Sequence, residues 1–329
     1  MNLQKRIETL GRLGEYILAN GEEWQQAQEL AIARNAWFTP EHIALAARNI
    51  ATQFLVREKL EAWVAAYALP ASPKKVGIVM AGNIPLVGFH DFLCGFVSGH
   101  HTHIKLSEKD AVLLPHLVRK MAEWEREVTD YVHFSEMLKH CDAYIATGSN
   151  NSARYFEQYF GKYPHIIRRN RTSVAVLDGT ETEAELALLG EDVFLHFGLG
   201  CRNVTALCVP KNYDFTPLLS TLKRYEHYMN HNKYHNNYDY HLALYLLNRV
   251  PYLSNESVLM VENELPFSAV SVLHYQYYSD KESLLKNLRD SKDIQAILGH
   301  DALAFGSAQM PALSDYADGI DTMAFLYSL

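Results

Sequence analysis

The sequence has few cysteines and no long apolar run. Its four cysteines lack the close paired spacing of a zinc site, and no stretch approaches the length that a membrane-spanning helix needs. The first residues, MNLQKRIETLGRLGEYI, contain no apolar segment followed by a cleavage site, as a signal peptide would. We therefore expect a cytoplasmic protein with no membrane span, whose thiols stay reduced.

The sequence also has fewer basic residues than acidic ones. The sequence has 30 lysines and arginines against 38 aspartates and glutamates, which gives a formal charge of −8. A chain of this charge does not attract nucleic acid or an anionic membrane as a whole, so we expect neither as a partner. With 48% hydrophobic and 21% charged residues and no low-complexity segment, the composition excludes the disordered and fibrous classes.

The first part of the chain is predicted to be helical. Leu10, Leu13 and Ile17 recur at helical spacing, and a similar pattern follows Pro40. The two prolines of YALPASPKK, at residues 67–75, indicate a joint after these helices.

From Lys75 onward, short apolar strands alternate with helices, which is typical of parallel sheets covered on both faces. Among these elements we expect helices at 85–97 and 240–248 and a strand at ALAFG, residues 302–306. A length of 329 residues favours two domains over one. The predicted segments are a helical preface at 1–74, a first α/β domain at 75–184, a second at 185–306, and a tail at 307–329 that packs on a neighbouring domain or subunit.

Three loops of the first α/β domain follow predicted strands and precede helices. Asn83, in GNIP, lies on the ligand side of the sheet, with Pro85 in the first turn of a helix; a cap or turn former is the alternative. Lys105, Ser107 and Glu108, in KLSE, suit a nucleotide ribose or are solvated charges. Gly148 and Ser149, in TGS, suit a phosphate or serve as a helix cap.

The stretch HFGLGCRNVTALCVP, residues 196–210, resembles a dinucleotide fingerprint with Asn203 in the last glycine position. The context differs from that motif, because a helix precedes the stretch and a strand follows it. Cys201 is the only cysteine beside a glycine at such a junction, so a nucleophile and a plain turn both remain open. Cys94, Cys141 and Cys208 fall in apolar segments that indicate core packing.

A metal site is not expected. His227, His231 and His235 recur every fourth residue, but the asparagines around them disfavour a helix. The sequence also contains no HExxH motif.

With GNIP, KLSE, TGS and GLGC in this order, the sequence resembles the aldehyde dehydrogenase superfamily. Within it, the ending DYADGIDTMAFL and the block RRNRTSVAVLDG are similar to the acyl-CoA reductase family, which includes the fatty acid reductase of bacterial luminescence. The match runs from about Lys75 to the end. It implies an aldehyde dehydrogenase-like α/β fold of two open twisted sheets: a Rossmann-like cofactor domain, on which the helical preface packs, and a catalytic domain.

The resemblance also implies roles. Cys201 matches the catalytic cysteine, whose backbone N–H stabilises the oxyanion together with the side-chain amide of Asn83. Glu264, in ENELPFSAV, matches the glutamate that orients the nicotinamide ribose, although the spacing departs by one residue and Glu262 competes with it.

The remaining roles concern the cofactor. Lys105 and Glu108 match the pair that holds the adenosine ribose, in the loop that also contains Ser107. Gly148 and Ser149 match the loop after the nucleotide-binding strand. The family points to NADPH, but a carboxylate such as Glu108 on the ribose favours NADH, so both cofactors stay open.

One departure bears on the reaction. Hydrolytic aldehyde dehydrogenases carry a glutamate in an ELGGK-like motif that activates water, whereas the corresponding stretch here, IIRRNRTSVAV, has no carboxylate. We therefore expect an acyl-CoA reductase that converts an acyl thioester to an aldehyde with NAD(P)H through an acyl-cysteine on Cys201.

The alternatives are a CoA-acylating or hydrolytic aldehyde dehydrogenase, and a partner-dependent or vestigial subunit of a fatty acid reductase complex. The resemblance further implies a homo-oligomer and an acyl-transferring partner subunit.

Overall fold

The computed structural model describes residues 1–68 and 72–329. They form two compact units: the first unit is Met1–Asn170 with Pro311–Leu329, and the second unit is Arg171–Met310. The joint predicted at 67–75 lies partly outside the described residues, because it includes residues 69–71. Among the described residues, no helix is both long and apolar enough to cross a membrane.

The first unit begins with helices, as the apolar spacing predicts. Asn2 and Thr39 cap two of them, each accepting a backbone N–H from three residues further on. Leu10, Leu13 and Ile17 are buried in the same hydrophobic core as the strands that follow. The elements are α1 Leu3–Ala19, α2 Glu22–Arg34, α3 Pro40–Asn49, a π-helix Ile50–Phe54 and α4 Arg57–Val64.

The sheet of the first unit has the order β3-β2-β1-β4-β5, and every pairing in it is parallel. Its central strands bury most of their side chains, which explains their apolar runs. The strands are β1 Lys75–Val79, β2 His101–Lys105, β3 Val132–Phe134, β4 Ala143–Thr147 and β5 His165–Arg168. Helices α5 Phe89–Ser98, α6 Leu113–Trp124, α7 Val128–Tyr131 and α8 Asn150–Phe160 connect them, with a 3-10 turn at Glu108–Asp110.

The second unit has a sheet of order β11-β6-β7-β10-β9-β8, parallel except for the short pairing of β8 with β9. Its strands are β6 Thr172–Val176, β7 Val204–Pro210, β8 Leu253–Ser254, β9 Leu259–Glu262, β10 Val272–Tyr278 and β11 Ile294–Leu298. Its helices are α9 Glu183–Phe194, α10 Thr216–Leu222, α11 Asn232–Asn248 and α12 Lys281–Asp290, with 3-10 segments at Leu195–Gly198 and Lys223–Asn230.

The C-terminal tail returns to the first unit. After a 3-10 turn at Ala317–Gly319, helix α13 Thr322–Tyr327 packs on α5 and buries Met323 and Leu326. The indole N–H of Trp63 donates a 2.9 Å hydrogen bond to the Tyr316 hydroxyl, which attaches the tail to the N-terminal helices.

The compact units divide the chain elsewhere than the sequence suggests. The expected boundary between 184 and 185 falls inside α9, whereas β6 already pairs with β7 and β11 of the second sheet. Strand pairing joins residues far apart in sequence, so a local pattern does not show which sheet β6 enters.

One expected element is wrong, and another begins earlier than expected. ALAFG at 302–306 is not a strand: the last strand is β11, and Leu303 makes only a single bridge to Leu298. The helix expected at 240–248 begins eight residues earlier, at Asn232, because His231 caps it and burial of Tyr234 and Tyr238 outweighs the low helix propensity of asparagine.

Candidate active site

The Asn83 loop leaves the carboxyl end of β1. The helix expected from Pro85 begins only at Phe89, because Leu86 adopts a left-handed backbone with a φ of 56° and interrupts it. The Leu86 N–H donates a 2.7 Å hydrogen bond to the buried carboxylate of Asp110. Asn83, which is half-buried, therefore lies in a turn held by the KLSEKD loop, and not in a helix cap.

The KLSE loop packs directly against this turn. Lys105 ends β2 and is exposed, as is Glu108, whereas Ser107 caps the following 3-10 turn by accepting the Lys109 N–H. A side chain at Gly82 would lie 2.7 Å from Ser107, so only glycine allows this approach of the two loops.

The third loop carries Gly148 and Ser149 after β4. The Ser149 hydroxyl accepts the Ser152 N–H at 3.2 Å and caps α8, which is the structural role that the sequence left open. Since β2, β1 and β4 are neighbouring parallel strands, the three loops lie at one edge of the first sheet. This edge brings together the residues that the sequence predicts to hold a cofactor, apart from Glu264.

Lys105 also lines an open groove of about 540 Å³ in the first unit. Its walls include Tyr155 and Tyr159, which are 63% and 64% exposed, together with Lys139 and Lys162. Exposed aromatic faces can stack on a base, and ammonium groups attract phosphate. The groove could hold the adenosine part of a nucleotide.

Cys201 lies in the second unit, between α9 and β7. Before it, His196, Phe197 and Gly198 all have left-handed backbones, with φ values of 54°, 57° and 73°. Helix α9 ends before Leu195, whose ψ is 140°, and the left-handed residues then turn the chain sharply. A strained backbone of this kind clusters at functional sites. Cys201 then follows in the turn 200–203 and is half-buried.

The other three cysteines are buried, as their apolar surroundings predict. Burial raises the pKa of the Cys208 thiol to about 11 and also raises the pKa of Cys94 and Cys141. A thiol in such surroundings is a poor nucleophile near neutral pH.

Asn203 closes the turn that carries Cys201. Its backbone N–H donates to the Gly200 carbonyl at 3.1 Å, and its side-chain oxygen accepts the Gly200 N–H at 2.8 Å. Its side-chain NH₂ donates to carbonyls at the end of α9, at 3.0 Å to Asp192 and 2.8 Å to Leu195. The sequence suggested only an incomplete dinucleotide fingerprint for Asn203 and did not predict this role.

The same turn is joined to β6. The Ser173 hydroxyl donates to the Cys201 carbonyl at 3.1 Å, and the Ser173 N–H donates to the Asn203 carbonyl at 3.0 Å. Ser173 is fully buried. No local motif marks this serine, since its partner lies 28 residues further along the chain.

A second loop of the unit contains Glu264. The Thr205 hydroxyl, in β7, donates to the Pro266 carbonyl at 2.5 Å. His274 forms a 2.8 Å hydrogen bond with the Leu265 carbonyl, in which its Nδ1 is the donor. Glu262 ends β9 and Glu264 follows in the loop, and both are exposed.

Among the described residues, one trio has the geometry to hold a metal ion: Asp178, Glu181 and His300. Protein donors already occupy these carboxylates. Asp178 is bonded to His300 at 3.0 Å and to Lys281 at 3.1 Å, and Glu181 accepts the backbone N–H of Asp178. The trio follows β6 and β11, at the opposite strand ends from Cys201, which precedes β7. We interpret it as a structural cluster.

Comparison with known proteins identifies the fold. No protein-family model and no curated protein matches the sequence. Among solved structures, a mutant of the indole-3-acetaldehyde dehydrogenase AldA of P. syringae, in complex with NAD+ and IAA, matches with a TM-score of 0.64 and 13% identity, covering 91% of this chain and 72% of that one. Aldehyde dehydrogenase 21 of Physcomitrella patens, in complex with its product succinate, matches with a TM-score of 0.65 and 12% identity, covering 92% and 74%.

A mutant of aldehyde dehydrogenase C of Pseudomonas syringae, in complex with NAD+ and octanal, matches with a TM-score of 0.61 and 14% identity, covering 95% of this chain and 76% of that one. The chain therefore has an aldehyde dehydrogenase-like fold, and the predicted fold class is confirmed.

Proposed function

We propose that the protein is an acyl-CoA reductase, which converts an acyl thioester to an aldehyde with a reduced nicotinamide cofactor through an acyl group on Cys201. The observation that carries this proposal is the Cys201 turn: a half-buried thiol at a helix-to-strand junction, held by Asn203 and Ser173. The aldehyde dehydrogenase-like fold supports it.

The chemistry starts at the thiolate of Cys201. The sulfur attacks the thioester carbonyl, a new carbon–sulfur bond forms, and the bond to the CoA sulfur breaks as the CoA thiol leaves. One thioester replaces another, so the step has little thermodynamic cost. The side-chain amide of Asn83 and the Cys201 backbone N–H stabilise the negative charge on the oxygen. When the acyl carbon has been reduced, collapse of the thiohemiacetal releases the aldehyde and returns the thiol.

The residues of the first unit fit a nicotinamide dinucleotide. Lys105 and Glu108 would hold the adenosine ribose, Gly148 and Ser149 the pyrophosphate, and the aromatic groove beside Lys105 the adenine. Glu264 would orient the nicotinamide ribose. A bound NADPH or NADH supplies the hydride that reduces the acyl group.

The proposed direction is supported by the composition of residues 166–176. The stretch 166–176, which by the resemblance takes the place of the water-activating motif of hydrolytic aldehyde dehydrogenases, contains no carboxylate. Its Arg168 is buried and paired with Asp91. An acyl-cysteine that this stretch does not help to hydrolyse would survive until a hydride or another thiol arrives.

The test is the intact mass of the purified protein mixed with octanoyl-CoA in the absence of reduced cofactor, followed by peptide mapping. An octanoyl group is the first probe because the similar aldehyde dehydrogenase C was captured with octanal. We expect one acyl adduct on Cys201, which NADPH or NADH discharges with formation of octanal. Octanoate as the product would instead show a hydrolytic enzyme.

Two variants complete the experiment. Cys201→Ala should take no acyl group and make no aldehyde, whereas Cys141→Ala, at a buried thiol, should behave as the parent does. Absence of an adduct across acyl-CoA chain lengths would exclude independent acyl-CoA reduction and favour a partner-dependent or vestigial subunit.

A further inference from the structure

We propose that Asn203 is a positioning residue, which fixes the orientation of Cys201 and its backbone N–H. The inference rests on the proposed function, because it concerns the reactivity of the same cysteine. It differs from that function in assigning a role to a side chain that is not expected to touch substrate or cofactor.

The argument begins with the turn itself. Cys201 and Arg202 lie between Gly200 and Asn203, which are joined in both directions: the Asn203 backbone N–H donates to the Gly200 carbonyl, and the Gly200 N–H donates to the Asn203 side chain at 2.8 Å. A turn closed by two opposed hydrogen bonds has less freedom than one closed by the backbone alone. The peptide plane before Cys201 is therefore fixed.

The second step concerns the end of α9. The last carbonyls of a helix have no partner within the helix, and α9 ends where Leu195 leaves the helical conformation and left-handed residues follow. The Asn203 NH₂ group donates to the carbonyls of Asp192 and Leu195 at 3.0 and 2.8 Å. The side-chain amide of Asn203 thus joins the helix end to the nucleophile turn. Asn203 is fully buried.

The third step is the far side of the turn, where Ser173 donates to the Cys201 carbonyl. The peptide group after Cys201 is thereby held by the Ser173 side chain, and the peptide group before it by the Asn203 backbone N–H, in a turn whose first residue the buried Asn203 side chain also holds. Displacement of a reacting atom by about 1 Å can cost a hundredfold in rate. Asn203 is consequently expected to affect the acylation step more than substrate binding.

The experiment compares the full-length parent with Asn203→Asp, which keeps the oxygen that accepts the Gly200 N–H but loses the NH₂ donor. Asn255→Asp is the matched control, because Asn255 holds another turn of the same unit through Ser257 and Val258. With octanoyl-CoA, Asn203→Asp should lower the maximal acylation rate of Cys201 by about 10- to 100-fold. The half-saturating octanoyl-CoA concentration should stay within threefold, and the control should match the parent.

Hydrogen exchange of the parent provides a measurement that needs neither a folded variant nor a substrate. The Gly200 amide should exchange within about tenfold of the rate of Ala206 in β7, since its acceptor is buried. Exchange as fast as at the exposed Lys211 would overturn the inference, as would an unchanged acylation rate in Asn203→Asp. If the parent is not acylated at all, the proposed function fails and the positioning role fails with it, whereas an acylated parent with an unchanged rate in Asn203→Asp overturns the positioning role alone.

Discussion

The Thr205 hydroxyl donates a 2.5 Å hydrogen bond to the carbonyl oxygen of Pro266. Thr205 lies near the start of the strand that follows Cys201, and Pro266 lies two residues beyond Glu264. The Thr172 hydroxyl lies against the Thr205 hydroxyl, and since the Thr205 proton goes to Pro266, Thr172 is the donor between these two hydroxyls. The Cys201 turn and the Glu264 loop, which both have roles in the proposed reaction, are thus attached to each other.

This attachment predicts the effect of Thr205→Val, which keeps the shape of the side chain and removes the hydroxyl. The Glu264 loop should loosen, and the KM for the reduced cofactor should rise about three- to tenfold, since loss of a typical hydrogen bond is worth about 1 kcal/mol. Steady-state kinetics at varied NADPH and NADH measure this change. An unchanged cofactor KM together with a lowered stability would show that the bond is only structural.

The choice between Glu264 and Glu262 can be settled by a matched pair of variants. Glu264→Gln should weaken cofactor use, raising the KM or lowering kcat by about tenfold, because a charge-assisted hydrogen bond to the ribose is lost. Glu262→Gln should leave both parameters near those of the parent. The reverse result would assign the ribose contact to Glu262, at the end of β9.

Asn83→Ala should slow the reaction without abolishing it. Loss of one oxyanion donor typically costs about 2.7 to 4 kcal/mol, or a factor of 10² to 10³ in kcat. The KM for octanoyl-CoA should change little, because the amide acts on charge that develops in the transition state. Pre-steady-state acylation of Cys201 is the appropriate measurement, and a rate equal to that of the parent would exclude Asn83 from the oxyanion site.

Stability should depend on pH through Asp192. Burial raises the pKa of its carboxyl to about 6, against the opposing effect of the Gly306 and Ala308 N–H groups, which donate to it. The folded state then binds the proton more tightly than the unfolded state, so this contribution to stability is present below about pH 4 and is lost as the pH rises through 6. The loss amounts to about 3 kcal/mol at most.

Asp192→Asn removes this titration. Urea unfolding at several pH values between 4 and 7.5 should show the difference in unfolding free energy, variant minus parent, increasing with pH. Parallel curves for the two proteins would contradict the raised pKa.

Much of the architecture was predictable from local patterns. The alternation of apolar strands and helices from Lys75 onward indicated parallel sheets, and the strand-loop-helix order of GNIP, KLSE and TGS placed these loops at one sheet edge, as observed. Cys201 stood apart from the other cysteines as the one beside a glycine at a helix-to-strand junction. These features depend on residues close together in sequence, which is why the sequence contains them.

The tertiary structure decided three other features. They are the sheet that β6 joins, the closure of the Cys201 turn by Asn203 and Ser173, and the support of the Asn83 loop by Asp110. Each depends on a hydrogen bond or a packing contact between segments that are far apart in sequence, or on which of several polar groups bonds to a turn in the folded protein. The sequence by itself determined the kinds of elements and the residues able to do chemistry. Only packing decided which of their neighbours hold them in place, because a buried polar group is stable only where the fold supplies its partner.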